Sequence, residues 1–206
     1  MTATVAQAPA RVLVVFYSRT GATAELARQV CRGVESVPGA GAMLRTVPPV
    51  VTEAEGPAKP VPVSGPPYAT HAELAACDGL VLGSPTRFGN MAAALKHFLD
   101  GSGAVWASGA LAGKPAAVFT SSQTLHGGQE STLLSMMLPL LHQGMVLAGI
   151  PFTEPALQQT RSGGTPYGAS HVAGPQNTVH LSDEEKALAQ ALGRRVAQLA
   201  LRLRGI

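Results

Sequence analysis

The sequence predicts an α/β domain whose parallel sheet is covered on both faces. Apolar runs without polar alternation, at residues 12–17 and 79–83, mark strands buried on both sides. Stripes at helical spacing follow them. Small and hydroxyl-bearing residues fill the loops where run meets stripe, and that is where such sheets bind ligands.

The first strand is Val12-Leu13-Val14-Val15-Phe16-Tyr17. Ser18, Arg19, Thr20, Gly21, Ala22 and Thr23 follow, and then Leu26, Ala27, Val30, Cys31 and Val34 share one face of a helix. At this position the first-turn N–H groups are unpaired, and the helix dipole favours an anion by about 0.3–1 kcal/mol. The hydroxyls of Ser18, Thr20 and Thr23 add donors worth about 1.5–3 kcal/mol each toward a charged group. Gly21 lets the chain turn tightly. No Lys follows Gly21 and no G-x-G-x-x-G follows the strand, so neither a triphosphate loop nor a dinucleotide fingerprint is present. A neutral cradle of this kind suits a terminal monophosphate. The loop alone is equally readable as an ordinary turn with capping residues. S-x-T-G-x-T after a first strand resembles the flavodoxin loop that holds the phosphate of FMN.

Ala42-Met43-Leu44-Arg45-Thr46-Val47 reads as a second strand nearer an edge. From Pro48 to about Thr70 the chain holds seven prolines, which excludes helix and inner strand. The expectation is a surface excursion at a subunit contact. Residues 73–76 suggest a short helix into the third strand, Gly79-Leu80-Val81-Leu82-Gly83. Ser84-Pro85-Thr86-Arg87-Phe88-Gly89-Asn90 follows, with Asn90 as N-cap of a helix whose stripe is Met91, Ala94, Leu95, Phe98 and Leu99. The loops at 18–23 and 84–90 are then neighbours, because the ligand crevice of a doubly wound sheet lies at the switch in strand order.

S-P-T-R-F-G-N-M closely resembles the loop of the WrbA family of flavodoxin-like NAD(P)H:quinone oxidoreductases. Trp106 to Leu111 and Arg161 to Ala169 resemble WrbA segments too, so the resemblance runs from Arg11 to about Gly174. It implies a flavodoxin-like three-layer sandwich with a five-stranded parallel sheet in the order 2-1-3-4-5. Residues 114–120 form the fourth strand and residues 145–150 the fifth. Between them, Leu133, Met136, Met137, Leu140 and Leu141 mark a helix. Residues 151–178 read as irregular. Ser182 and Glu185 form a capping box that opens the last helix, with Leu188, Ala191, Leu192, Val196, Leu199 and Leu203 inward. Residues 1–10 are expected to be a disordered tail and residues 11–206 a single domain.

The resemblance also implies the chemistry. FMN would be held at its phosphate by Ser18, Arg19, Thr20, Gly21, Ala22 and Thr23. Its ring edges would meet Thr86, Arg87, Phe88 and Gly89 on one side and Ser121, Ser122, Gln123, Thr124, Leu125, His126 and Gly127 on the other. Arg87 or nearby amides would stabilise negative charge on the reduced ring, and Phe88 would pack its face. NADH or NADPH delivers hydride and leaves, and a quinone then takes two electrons in the same space, a ping-pong scheme in which the cofactor does the electron chemistry. Trp106 matches an acceptor-pocket aromatic, reached across a subunit boundary in a dimer of dimers; a purely structural aromatic is the other reading. His142 matches a flavin-contacting His and a possible assisting donor, with a helix-capping role as the alternative. Two departures matter. Thr20 stands where many relatives carry Tyr, and the loop at 121–128 is one residue longer than in short-loop relatives and contains His126.

Composition closes other classes. A net charge of +3 without a basic cluster does not suit nucleic acid. Charged residues make up 13% of the chain, about half the ordinary share, so some neutral surface is expected to be buried in an oligomer, which the WrbA resemblance implies is a homotetramer. The six His are scattered without ligand spacing, and no G-x-S-x-G or H-E-x-x-H occurs. Cys31 and Cys77 read as buried reduced thiols. No apolar stretch is long enough to span a membrane and the first residues do not form a signal peptide, so a soluble cytoplasmic protein is expected. A non-enzymatic electron carrier or a flavin-optional interaction module is the alternative function. Carriers of this fold are usually acidic, unlike a chain of pI about 9.1.

Overall fold

In the computed structural model, which describes residues 8–51, 56 and 59–204, strand β1 (Ala10–Phe16) runs through the middle of the sheet. Helix α1 (Ala22–Glu35) leads to β2 (Ala40–Thr46), and α2 (His71–Ala76) to β3 (Gly79–Pro85). Helices α3 (Ala93–Asp100) and α4 (Gly103–Ala107) precede β4 (Pro115–Ser122). After it come α5 (Gln129–His142), β5 (Val146–Leu147), α6 (Pro155–Gln159), β6 (Ala169–Val172) and α7 (Asp183–Leu203). The parallel order is β2-β1-β3-β4-β5, with β6 also paired to β4. This is the predicted flavodoxin-like order.

Alternation along β1 makes the three layers. Val12, Val14 and Phe16 pack with Leu26, Val30 and Val34 of α1 and with Leu188, Leu192 and Val196 of α7. Leu13 and Val15 pack on the other face with Leu95 and Phe98 of α3 and with Leu133, Met136 and Leu140 of α5. Each face of the strand has its own core. Helices α1 and α7 approach closely because Gly33 and Gly193 sit at the crossing. A Cβ on Gly33 would stand 2.0 Å from the Gln190 carbonyl oxygen, and one on Gly193 2.0 Å from that of Val30.

The fifth strand departs from expectation. Of residues 145–150 only Val146 and Leu147 join the ladder, opposite Pro115 and Ala116. The chain then leaves the sheet, because Pro151 has no N–H to continue the ladder and Gly149 is pressed against the Pro166 carbonyl oxygen, 2.1 Å from where its Cβ would be. It returns as β6, whose residues Ala169 to Val172 pair with Phe119 to Ser122. Two short strands thus share the fifth position, and residues 151–178 are not wholly irregular.

Asn90 does not cap α3. Arg87 and Asn90 exchange backbone hydrogen bonds of 2.7 and 3.1 Å around Phe88 and Gly89, both at positive φ (54° and 76°), a two-residue primed turn. Helix α3 starts after Ala92, whose N–H donates to Ser84 Oγ at 2.8 Å.

Of the tail expected at 1–10, residues 1–7 lie outside the described residues, and Ala10 already opens β1 with its N–H on the Gly39 carbonyl. In the proline-rich stretch, residues 52–55 and 57–58 lie outside them as well. Its far end runs back beside β2, where Thr46 and Ala69 N–H donate to the Pro67 and Thr46 carbonyls. Both cysteines are buried free thiols, and burial pushes Cys31 up to about 12 and Cys77 up to about 11. Among the described residues no helix is long and apolar enough to cross a membrane.

Candidate functional site

At the carboxyl ends of β1, β3 and β4 a cavity of about 620 Å³ opens between three loops, within the usual range for a cofactor site. Its walls include Arg19, Thr20, Ala22 and Thr23 from the first loop, Pro85, Thr86 and Arg87 from the second, and Ser121, Ser122, Gln123, Thr124 and Gly127 from the third. Topology alone brings these loops together. Residues 121–127 reach residues 18–23 across the end of β3.

Two helices aim their amino ends here. Helix α1 starts at Gly21 (φ 102°) and α5 at Gly128 (φ 96°), and neither has a side-chain cap. Their first-turn N–H groups are therefore free of side-chain acceptors. Helices α2 and α7 instead carry complete capping boxes, Thr70 with Glu73 and Ser182 with Glu185. A left-handed glycine at the start of α1 and α5 turns the chain without placing a capping oxygen over the amides.

Hydroxyls knit the loops. Thr23 Oγ1 lies 2.7 Å from Ser121 Oγ, Thr132 Oγ1 donates to Thr86 Oγ1 at 2.7 Å, and Thr120 Oγ1 donates to the Ser84 carbonyl at 2.7 Å. Ser18 turns its oxygen inward to accept from Gly21 N–H at 3.1 Å, so it shapes the first loop. Among the described residues, the only charged ones in the cavity wall are Arg19 and Arg87. The site is thus neutral at its base and cationic at its rim.

Other predicted residues lie elsewhere. Phe88 and Gly89 form the tip of the primed turn, and the Phe88 ring is fully exposed. Leu125 and His126 face outward from the third loop. Trp106 and His142 meet each other, with Trp106 Nε1 donating to the His142 carbonyl at 2.9 Å, on a surface apart from the cavity. Ala173 and Asn177 complete the cavity wall, and sequence reasoning missed both. They belong to the connection between β6 and α7, where the one local signal is the run Gly174-Pro175-Gln176-Asn177-Thr178 before the capping box.

Comparison with known proteins agrees with this geometry. The model of the NADPH-dependent FMN reductase family matches residues 13–153, from β1 past β5. The chain belongs to this family. Within it, the chain is 47% identical over 205 residues to an NAD(P)H dehydrogenase (quinone) of Syntrophobacter fumaroxidans, covering 94% of this chain and 98% of that protein. A protein of the same name from Geobacter sulfurreducens is 47% identical over 203 residues, covering 94% and 99%. Among solved structures, the WrbA-like flavodoxin of Agrobacterium tumefaciens superposes with a TM-score of 0.65 at 25% identity, covering 95% of this chain and 99% of that one. Flavodoxin 2 of Bacillus cereus, 19% identical with a TM-score of 0.57, shares the fold. The WrbA resemblance read from S-P-T-R-F-G-N-M is therefore that of an FMN reductase family member.

Proposed function

We propose that the protein is an FMN-dependent oxidoreductase that passes two electrons from NADH or NADPH to quinones. One observation carries this reading: two long helices, both uncapped and both opened by a left-handed glycine, converge on one neutral, hydroxyl-lined cavity. Such a cavity fits the phosphate, ribityl and pyrimidine groups of FMN, which ask for amide and hydroxyl donors. The chain's near-full-length likeness to quinone-reducing dehydrogenases names the reaction.

When bound, FMN supplies the two-electron chemistry. The amides of Ala22 and Thr23 with the hydroxyls of Thr20 and Thr23 would hold its phosphate. Thr86, fixed by Thr132, and the backbone of the loops at 86–89 and 121–127 orient the ring. Ser18 and Gly21 set the curvature of the phosphate loop. Arg19 and Arg87 draw the anionic nicotinamide nucleotide to the rim, where field lines from two cations with no carboxylate among them are concentrated.

The acceptor side is completed by a second copy of the chain. Leu134, Leu138 and Leu141 line one exposed face of α5, next to the exposed Trp106, and water-facing leucines at this spacing mark an association surface. A homotetramer, built as a dimer of dimers, brings Trp106 and His142 of one protomer toward the cavity of another. Buried free thiols suit a reducing cytoplasm.

The test is oxidation of NADH and NADPH by purified protein with benzoquinone, with and without added FMN. Saturable turnover that requires FMN is expected. Bound FMN without turnover would point to an electron carrier, and no FMN binding at all would overturn the assignment.

A further inference from the structure

We propose that His171, which lies outside the cavity, is the positioning residue for its flavin-binding wall: a doubly hydrogen-bonded imidazolium that fastens the connection between β6 and α7 over the phosphate end. The inference rests on the FMN reading above for its functional consequence, and on hydrogen bonds alone for the clamp itself.

His171 is 1% exposed at the end of β6. Its Nδ1 lies 2.7 Å from Glu185 Oε2, and its Nε2 lies 2.9 Å from the Thr178 carbonyl oxygen. Both partners are acceptors. Glu185 also takes N–H bonds from Gly163 at 2.9 Å, Val172 at 3.1 Å and Ser182 at 2.9 Å, which keeps it a carboxylate. A neutral imidazole has one N–H, so serving both acceptors takes a proton on each nitrogen.

The segment held in this way is the missed cavity wall. Ala173 N–H donates to the Ser122 carbonyl at 2.8 Å, and Thr178 N–H to the Ala173 carbonyl at 2.8 Å, so residues 173–178 close a small loop on the end of β4. Ala173 and Asn177 face the cavity. Val179 Cγ1 stands 3.1 Å from where a Cβ on Gly21 would be, so the same segment leans on the glycine that opens α1 in the phosphate cradle. Residues 175–180 are all exposed, and no buried apolar side chain anchors them. The side-chain tie from the core to this stretch is the His171 bond to Thr178.

The charges around His171 are few. Strand β4 has no charged side chain. The buried face of α1 is uncharged, its thiol Cys31 being pushed up to about 12. Helix α7 presents Glu185 as its one buried charge, and His180 on the held segment is exposed. Glu185 therefore governs the protonation of His171. Burial disfavours the imidazolium, but the bonds to Glu185 and Thr178 outweigh it and raise the pKa above its ordinary 6.5. The clamp is complete below that value and is released as pH rises through the raised one.

The experiment pairs the amide hydrogen-exchange protection of residues 173–181 in flavin-free protein, each rate divided into the intrinsic rate at the same pH, with FMN affinity by fluorescence quenching, from about pH 6 to pH 9. Wild type, His171→Val and His171→Gln are compared. In wild type, protection of this segment should fall and FMN affinity weaken as pH rises. His171→Val should show fast exchange at every pH and FMN binding weaker by about tenfold or more, the scale of one lost bond to a charged donor. His171→Gln keeps an N–H for Thr178 but does not titrate, so both readouts should lose their pH dependence. Protection across residues 173–181 that stays constant with pH in wild type would overturn the clamp, and this arm needs no variant. A wild type that shows the exchange behaviour but binds no FMN would overturn the cofactor reading and leave the clamp standing. FMN affinity unchanged in a folded His171→Val would overturn the positioning role.

Discussion

Thr23 Oγ1 and Ser121 Oγ stand 2.7 Å apart, joining the first turn of α1 to the end of β4 across the base of the cavity. Both residues are buried, so each hydroxyl satisfies the other. Thr23→Val keeps the shape of the side chain but leaves Ser121 unpaired, which should destabilise the protein by about 1–3 kcal/mol. FMN binding should weaken at the same time, because the phosphate loses a donor. Urea unfolding and a flavin titration on one sample would separate the effects. Full stability with weakened FMN binding would show that the hydroxyl serves the ligand and not the fold.

Phe88 sits at φ 54° with its ring in solvent. A bulky residue in the left-handed region costs about 1–2 kcal/mol, and nothing buried at Phe88 offsets it. Phe88→Asn suits the primed turn before Gly89 and should raise stability by about 1 kcal/mol. The resemblance sets this ring against the flavin face, so FMN affinity of this variant should fall. Unchanged FMN affinity would remove Phe88 from the flavin site.

The apolar runs, the capping box and the loops at 18–23, 84–90 and 121–127 were legible because each depends on neighbours in sequence. Ala173 and Asn177 were not. They reach the cavity only because β6 pairs with the end of β4, and nothing local in Gly174-Pro175-Gln176 reports that pairing. The short β5 was misread for the opposite reason: an apolar run at 145–150 looks the same whether its amides pair or turn away at Pro151. Phe88 was read as packing on a ring because an aromatic in a ligand loop invites it, whereas the direction of its side chain follows from a turn type that depends on Arg87 and Asn90 closing both hydrogen bonds.

Trp106 is tied to α5 by its bond to the His142 carbonyl, so the two residues act as one unit at the end of that helix. Trp106→Ala should raise the quinone KM while FMN stays bound, because the indole stands outside the cavity, on the face proposed above for association. Steady-state kinetics with benzoquinone and the flavin absorbance of the purified variant check this together. Loss of flavin would show that the indole supports the cavity itself.

Gly193 faces the Val30 carbonyl at the α1–α7 crossing, and an added Cβ would come within 2.0 Å of it. Rigid backbone atoms on both sides leave no flexible neighbour to yield. Gly193→Ala should therefore destabilise by about 1–3 kcal/mol or more, despite the better helix propensity of Ala. Thermal unfolding measures it, and an unchanged midpoint would mean that the two helices separate freely.

The buried pair of His171 and Glu185 gives stability a pH window. Burial works against the Glu185 carboxylate, but the bonds from His171 and the backbone hold its pKa down at about 2. A depressed carboxyl contributes stability above its ordinary value of 4.5 and loses it as pH falls toward the folded one. The raised His171 contributes below its ordinary 6.5 and loses it as pH rises through its folded value. Stability in urea should thus be greatest between about pH 4.5 and 6.5 and fall on both sides. Glu185→Ala removes the counter-charge that keeps the buried His171 protonated and strips the acceptor from three backbone amides. It should destabilise by about 3–5 kcal/mol near neutral pH and abolish the acid limb. His171→Gln should instead flatten the alkaline limb, since its amide carries no titrating proton, and shrink the acid limb to what the backbone amides alone hold. If both variants kept both limbs, the pH dependence would arise elsewhere in the chain.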